Sequence, residues 1–168
     1  MKFPSLIITI ILLCAIFFFL GFLSFAKFYK IVLPDVYGLQ YQMDLAAVEN
    51  MQNVFAIVMG LVPLCLFITW ELIPLHSSDK KTSTAFVVLI CMAAAVYIRY
   101  KMLLHYFEGL VQSLTNKAST NGVKYPFSEL GFEYYLFGGL LAGCIISYLV
   151  FHNVVKRRSM YSRDNIPD

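Results

Sequence analysis

FPSLIITIILLCAIFFFLGFLSFA, residues 3–26, carries no charged side chain between Lys2 and Lys27. About 20 apolar residues in a helix cross a hydrocarbon core roughly 30 Å thick, so this stretch is long enough to span a bilayer. A secretory signal peptide is the rival reading, because Ser24-Phe25-Ala26 resembles a small-x-small cleavage site. The apolar core of a signal peptide is only about 7–15 residues. An uncleaved helix is therefore expected, and cleavage would leave the orientation of the rest unchanged.

Working outward, the same pattern recurs three times. Residues 50–70 are uncharged, with Pro63 in the middle and Trp70-Glu71 at an end that reads as an interface. Pro63 should kink that helix or widen its backbone bonding. The apolar run 82–98 is short, but helical periodicity continues through Met102, Leu103, Tyr106, Leu110 and Leu114. One helix is expected to leave the membrane near Arg99 and continue amphipathically to about Leu114. The last run covers 134–155. Polar or turn-forming segments separate the runs: Pro34-Asp35 and Gly38 in the first, HSSDKKTST (76–84) in the second, Asn121-Gly122 and Pro126 in the third.

The expected fold is all-α: one membrane domain, residues 1–168, built as an antiparallel four-helix transmembrane bundle. Its spans are about 4–26, 51–73, 83–105 and 134–155, its outer loops 27–50 and 106–133, with a hairpin at 76–82 and a tail at 156–168. Composition agrees. The chain is 60% hydrophobic and 14% charged, against about 45–50% and 25% in soluble domains. That excludes a soluble enzyme, a disordered tail and a nucleic-acid-binding module. The bilayer itself is the first partner expected.

Basic residues orient the bundle. Lys2, Lys80, Lys81 and the run Lys156-Arg157-Arg158 with Arg163 fall on one side of an even number of spans, which should be cytoplasmic. Lys27, Lys30, Lys117 and Lys124 fall on the other, so the bias is modest. Both termini are expected inside, in a membrane the sequence does not name.

Candidate chemistry is sparse. Cys14, Cys65, Cys91 and Cys144 each sit in an apolar run without CxxC spacing, which suits small buried residues better than disulfides or redox thiols. The interiors of spans one, two and four hold no ionisable residue. At the outer ends, Glu49, Asn53, Arg99, His105 and Glu133 share one depth and form a candidate polar cluster; Asn50, Gln52, Lys101 and Glu108 lie close to it in sequence. Ordinary helix-end chemistry is the competing account. Arg99 is expected to pair with Glu49 or Glu133. His76 and His152 lie near the opposite face, and neither they nor His105 forms a bis-histidine haem pattern, so no cofactor and no metal is expected.

Gly139 and Gly143 form GxxxG on the last span, and Ser147 continues the stripe. Such a stripe lets lipid-embedded helices approach closely. It fits association with itself or another membrane protein, and equally packing inside the chain's own bundle.

The segment GFLSFAKFYKIVLPDVYGLQYQMDLAAVENMQNVFAIVMG (21–60) resembles the first half of anthrone-oxygenase-like small four-helix membrane proteins, in which an aromatic-rich span end, a Pro-containing loop and an amphipathic stretch lead into span two. The resemblance is architectural and matches no diagnostic motif, so it transfers no catalytic residue. Glu49-Asn50 and Arg99-Tyr100 are also similar to polar positions of the glutathione-and-eicosanoid membrane transferases, without their Arg-x-x-His arrangement. The expected function is that of a partner, adaptor or assembly factor acting through helix–helix and loop contacts. The alternative is a small membrane enzyme or lipophilic-ligand binder with a polar site in the outer half.

Overall fold

A computed structural model of the chain describes residues 3–36, 39–73, 78–115 and 123–163. Four long helices dominate: α1 (Phe3–Val32), α2 (Leu45–Leu72), α3 (Ser78–Thr115) and α4 (Phe132–Arg163). All four are long and apolar enough to cross a membrane. Lys2, His76, Lys117 and the Asn121-Gly122 turn lie outside the described residues, as do part of the 76–82 hairpin and residues 164–168 of the tail.

Local chemistry sets the helix ends. The last turn of α1 closes with the Leu33 N–H on the Tyr29 carbonyl at 2.9 Å, and Pro34 follows. Proline disfavours helix at the residue before it and cannot donate a backbone bond. α2 starts at Asp44, which is extended (φ −99°, ψ 125°) and accepts the Ala46 N–H at 3.3 Å, a standard N-cap. α2 then runs through Pro63 to Leu72. Between the 3-10 turn Phe127–Glu129 and α4, Gly131 adopts φ +62°, a left-handed conformation that glycine enters without a Cβ penalty.

The fold is all-helical as expected, but the connections are not simple loops. Two short strands, β1 (Leu39–Gln42) and β2 (Val123–Pro126), pair in parallel with Tyr41 opposite Tyr125. Buried Phe107 from the extension of α3 contacts both rings, with centroids 6.2 Å from Tyr41 and 4.8 Å from Tyr125. A parallel pair needs a long crossover; here α2 and α3 together provide it. LQYQ and VKYP do alternate apolar and polar residues, but four-residue runs are too short to separate from loop.

The helices pack as two tight pairs, α1 on α2 and α3 on α4, with α2 also touching α4; α2 and α3 barely meet. Glycine brings both pairs close. A Cβ at Gly139 would lie 2.7 Å from the Cys91 carbonyl oxygen and from Met92 Cα, and one at Gly143 would lie 2.7 Å from Val88 Cα. On the other pair, a Cβ at Gly21 would lie 2.8 Å from Met59 Cβ, and one at Gly60 3.3 Å from the Cys14 carbonyl oxygen. The GxxxG face is therefore occupied by α3. Ser147, fully buried, continues that face.

Candidate functional site

The polar groups concentrate where α1 ends and α4 begins. The Tyr29 hydroxyl donates to Glu133 Oε2 at 2.5 Å, and the two residues are only 3% and 2% exposed. Helical spacing on α1 places Phe25 and Phe28 beside Tyr29, and the 3-10 turn carries Phe127 in from the other side. The Tyr29 ring lies 4.7 Å from Phe25, 5.0 Å from Phe127 and 5.8 Å from Phe132, centroid to centroid. Phe55 of α2 closes the box against Phe28 at 4.8 Å. A carboxyl group buried among rings is costly without a partner, and the tyrosine hydroxyl supplies one.

Arg99 differs from expectation. Its Nε donates to the Leu130 carbonyl at 2.7 Å and its Nη2 to the Glu129 carbonyl at 2.9 Å, while the guanidinium lies 5.2 Å from the Tyr135 ring. It holds backbone rather than a carboxylate. The reason is the turn: the 3-10 helix ends at these carbonyls, and Gly131 reverses the chain beside them. A fork of planar N–H donors matches two such acceptors. Arg99 and Glu133 thus serve the same junction by different bonds. Glu49, Asn53 and His105 are exposed, on α2 and α3. Glu108 is exposed as well. Gln52 instead donates to the Phe22 carbonyl of α1 at 3.1 Å.

Tyr29 was not singled out from sequence, because an uncharged phenol in an aromatic-rich helix end resembles ordinary packing. The available signal was a run of aromatics at helical spacing (25, 28, 29) near the end of the first apolar run.

Because α1 and α3 belong to different pairs, a groove remains between them over α4. It is an open cleft of about 460 Å³, lined by Phe28, Ile31 and Val32 of α1, Met92, Ala93, Val96, Tyr97 and Tyr100 of α3, and Leu136 of α4. Phe28 joins this groove to the Tyr29–Glu133 box. A second cavity of about 480 Å³ lies between α2 and α4, lined by Cys65, Thr69, Leu72, Cys144 and Tyr148. Among the described residues, no three His, Cys, Asp or Glu side chains come together as a metal site.

The ladder carries the perturbed phenols outside the apolar helices. Tyr41, which donates to the Pro34 carbonyl at 2.7 Å, is pushed up to about 12, first by burial and then by the charge of Asp35. Burial, followed by the charge of Glu129, also raises Tyr125. Both hydroxyls therefore stay protonated and able to donate at neutral pH.

No family model matches the chain, and no curated protein or solved structure matches it either.

Proposed function

We propose that the chain is an integral membrane protein with four antiparallel spans and both termini cytoplasmic, and that it binds a lipophilic molecule in the groove between α1 and α3. Membrane placement is supported by what the helices expose. Only 6% of the most apolar stretch of α1 is buried, and Ile8, Ile11, Leu12, Phe19 and Leu23 all face outward. An apolar surface of that extent is unstable in water and is satisfied by acyl chains. Antiparallel order is supported by contacts that rise along one helix as they fall along the next, Gly139 against Met92 and Gly143 against Val88. With that order, the ladder end lies outside.

The observation that carries the binding reading is the groove itself. It is apolar, walled by two helices that scarcely touch, and lies at the ladder end of the bundle beside a buried polar couple. Ligand sites are commonly apolar clefts of roughly 300–1,000 Å³ between helices with a few polar groups nearby. The partner or adaptor reading loses its strongest motif, since Gly139 and Gly143 are engaged within the chain. Native mass spectrometry from a mild detergent tests the choice. A small lipophile retained by the wild type and lost in Ala93→Phe supports the binder. Retention of other proteins or of a second copy, with no lipophile, supports the adaptor.

A further inference from the structure

We infer that a separate, smaller cleft, between the end of α1 and the start of α2, holds a long-chain fatty acid, its carboxylate on Lys30 and its chain along Phe25 and Ala26. This site is distinct from the α1–α3 groove, and neither reading depends on the other.

The cleft measures about 370 Å³. Its α1 wall runs from Phe25 and Ala26 through Tyr29 and Lys30 to Leu33, a rise of about 12 Å. Met43 and Val48 face that wall. The two helices are antiparallel, since Gln52 donates to the Phe22 carbonyl while Gly60 approaches Cys14. Met43 therefore stands at the Leu33 end, and Phe25 lies at the deeper end. Lys30 lines the cleft itself, in the half nearer Leu33, and is exposed. Its stem can lie along the apolar wall and lift the ammonium toward the interface. Among the described residues lining the cleft, Lys30 is the only charged one. Asp44, beside Met43, is turned onto the Ala46 N–H as the cap of α2. The Tyr29 hydroxyl is committed to Glu133. The cleft thus presents one cation near its mouth and an apolar trough below it.

One cation above one trough complements a molecule with one negative charge and one chain. A neutral lipid would use the walls but leave the ammonium unmatched, and a diacyl phospholipid would leave its second chain outside. Ordinary helix-end chemistry gives Lys30 a rival role, because a cation is favourable near a helix C-terminus. Lys27 supplies the comparison: it is exposed and near Lys30 on the same helix, but it does not line the cleft. A general surface charge would treat the two lysines alike, whereas a site distinguishes them.

The test uses the full chain in a mild nonionic detergent at pH 8 with a diazirine-bearing palmitate, photolysed and mapped by peptide mass spectrometry. Wild type should be labelled within residues 25–33 and 43–48. Palmitate should compete for that label about fivefold better than methyl palmitate, the worth of one near-surface cation toward an anionic lipid. Lys30→Gln should erase the difference between acid and ester, and Lys27→Gln should leave it unchanged. Val48→Trp should fill the cleft and remove the label. Ala26→Trp fills it from the opposite wall should the first variant fold poorly; Ala26 is exposed and has room for the ring. Ala93→Phe, which acts on the α1–α3 groove, should have no effect. Equal competition by acid and ester in the wild type, or equal losses in the two lysine variants, overturns the proposal. So does a label that survives both tryptophan variants or maps to other segments. Loss of the label in Ala93→Phe would move the fatty acid to the α1–α3 groove, overturning this site while supporting the binding reading above.

Discussion

Tyr29→Phe removes one oxygen atom from a residue 3% exposed and changes almost nothing else. The ring can keep its packing against Phe25, Phe127 and Phe132, but the Glu133 carboxyl, 2% exposed, loses the hydroxyl that donates to it at 2.5 Å. Leaving a buried polar group unsatisfied costs about 1–3 kcal/mol. At roughly 2–4 °C per kcal/mol for a chain of this size, the apparent melting temperature should fall by several degrees. Glu133→Leu should cost a similar amount, because it strands the phenol instead. The double variant Tyr29→Phe/Glu133→Leu turns the site wholly apolar, so it should sit above either single variant. The readout is the temperature at which half the monodisperse peak is lost on size-exclusion chromatography in detergent. Additive losses would refute the reasoning, since coupling is the signature of a shared bond. Two neutral single variants would refute it as well, by showing that both groups reach water.

The remaining expectations are shorter. Gly143→Leu should collapse the yield of folded monomer, because a Cβ there already meets Val88 Cα at 2.7 Å, whereas Gly138→Leu should be tolerated because nothing lies within 4 Å of that position; expression and monodispersity read both. Burial and the charge of Asp35 raise Tyr41 in the folded state from the ordinary tyrosine value of about 10 to about 12. Its stabilising effect is thus complete below pH 10 and lost as pH rises toward 12. Protease cleavage near residues 39–42 should increase over that window, and Tyr41→Phe should flatten the rise, with Tyr125 contributing what remains. In intact cells, a cysteine replacing exposed Ser128 should react with an impermeant thiol reagent and one replacing Ser162 should not; the opposite pattern would invert the proposed orientation.

How much of this was legible depended on the length scale of each signal. Residues 3–26 stand out in sequence because length and apolarity sufficient to cross a membrane are properties of the whole segment. Gly139 and Gly143 announce a close contact, but spacing alone cannot say whether the facing helix is the chain's own. Gly21 and Gly60 make the equivalent contact on the other pair and went unnoticed, since thirty-nine positions separate them and neither sits in a stripe. Arg99 was expected to pair with Glu49 or Glu133. Its partners are carbonyls, and every residue has one, so composition cannot point to them. The β-ladder was hidden for a related reason: LQYQ and VKYP become strands only once α2 and α3 return the second segment to the first.

The polar couple and the groove are mechanically one arrangement. α1 belongs to the α2 pair, and α3 belongs to the α4 pair. Glycine-mediated contacts fix the distance within each pair but leave the gap between α1 and α3 unspecified. The Tyr29–Glu133 bond crosses between the pairs, tying the end of α1 to the start of α4. Arg99 completes the frame from the opposite side by tying α3 to the Glu129 and Leu130 carbonyls immediately before α4. Both ties meet within a few residues of Gly131, and Phe28, next to Tyr29, forms part of the groove wall. At the ladder end of the groove, three directional bonds therefore add a preferred spacing to the aromatic packing of Phe28 and Tyr29 on Phe132. On this account the costly buried carboxyl is retained because a hydrogen bond fixes a distance that a leucine in its place would leave free.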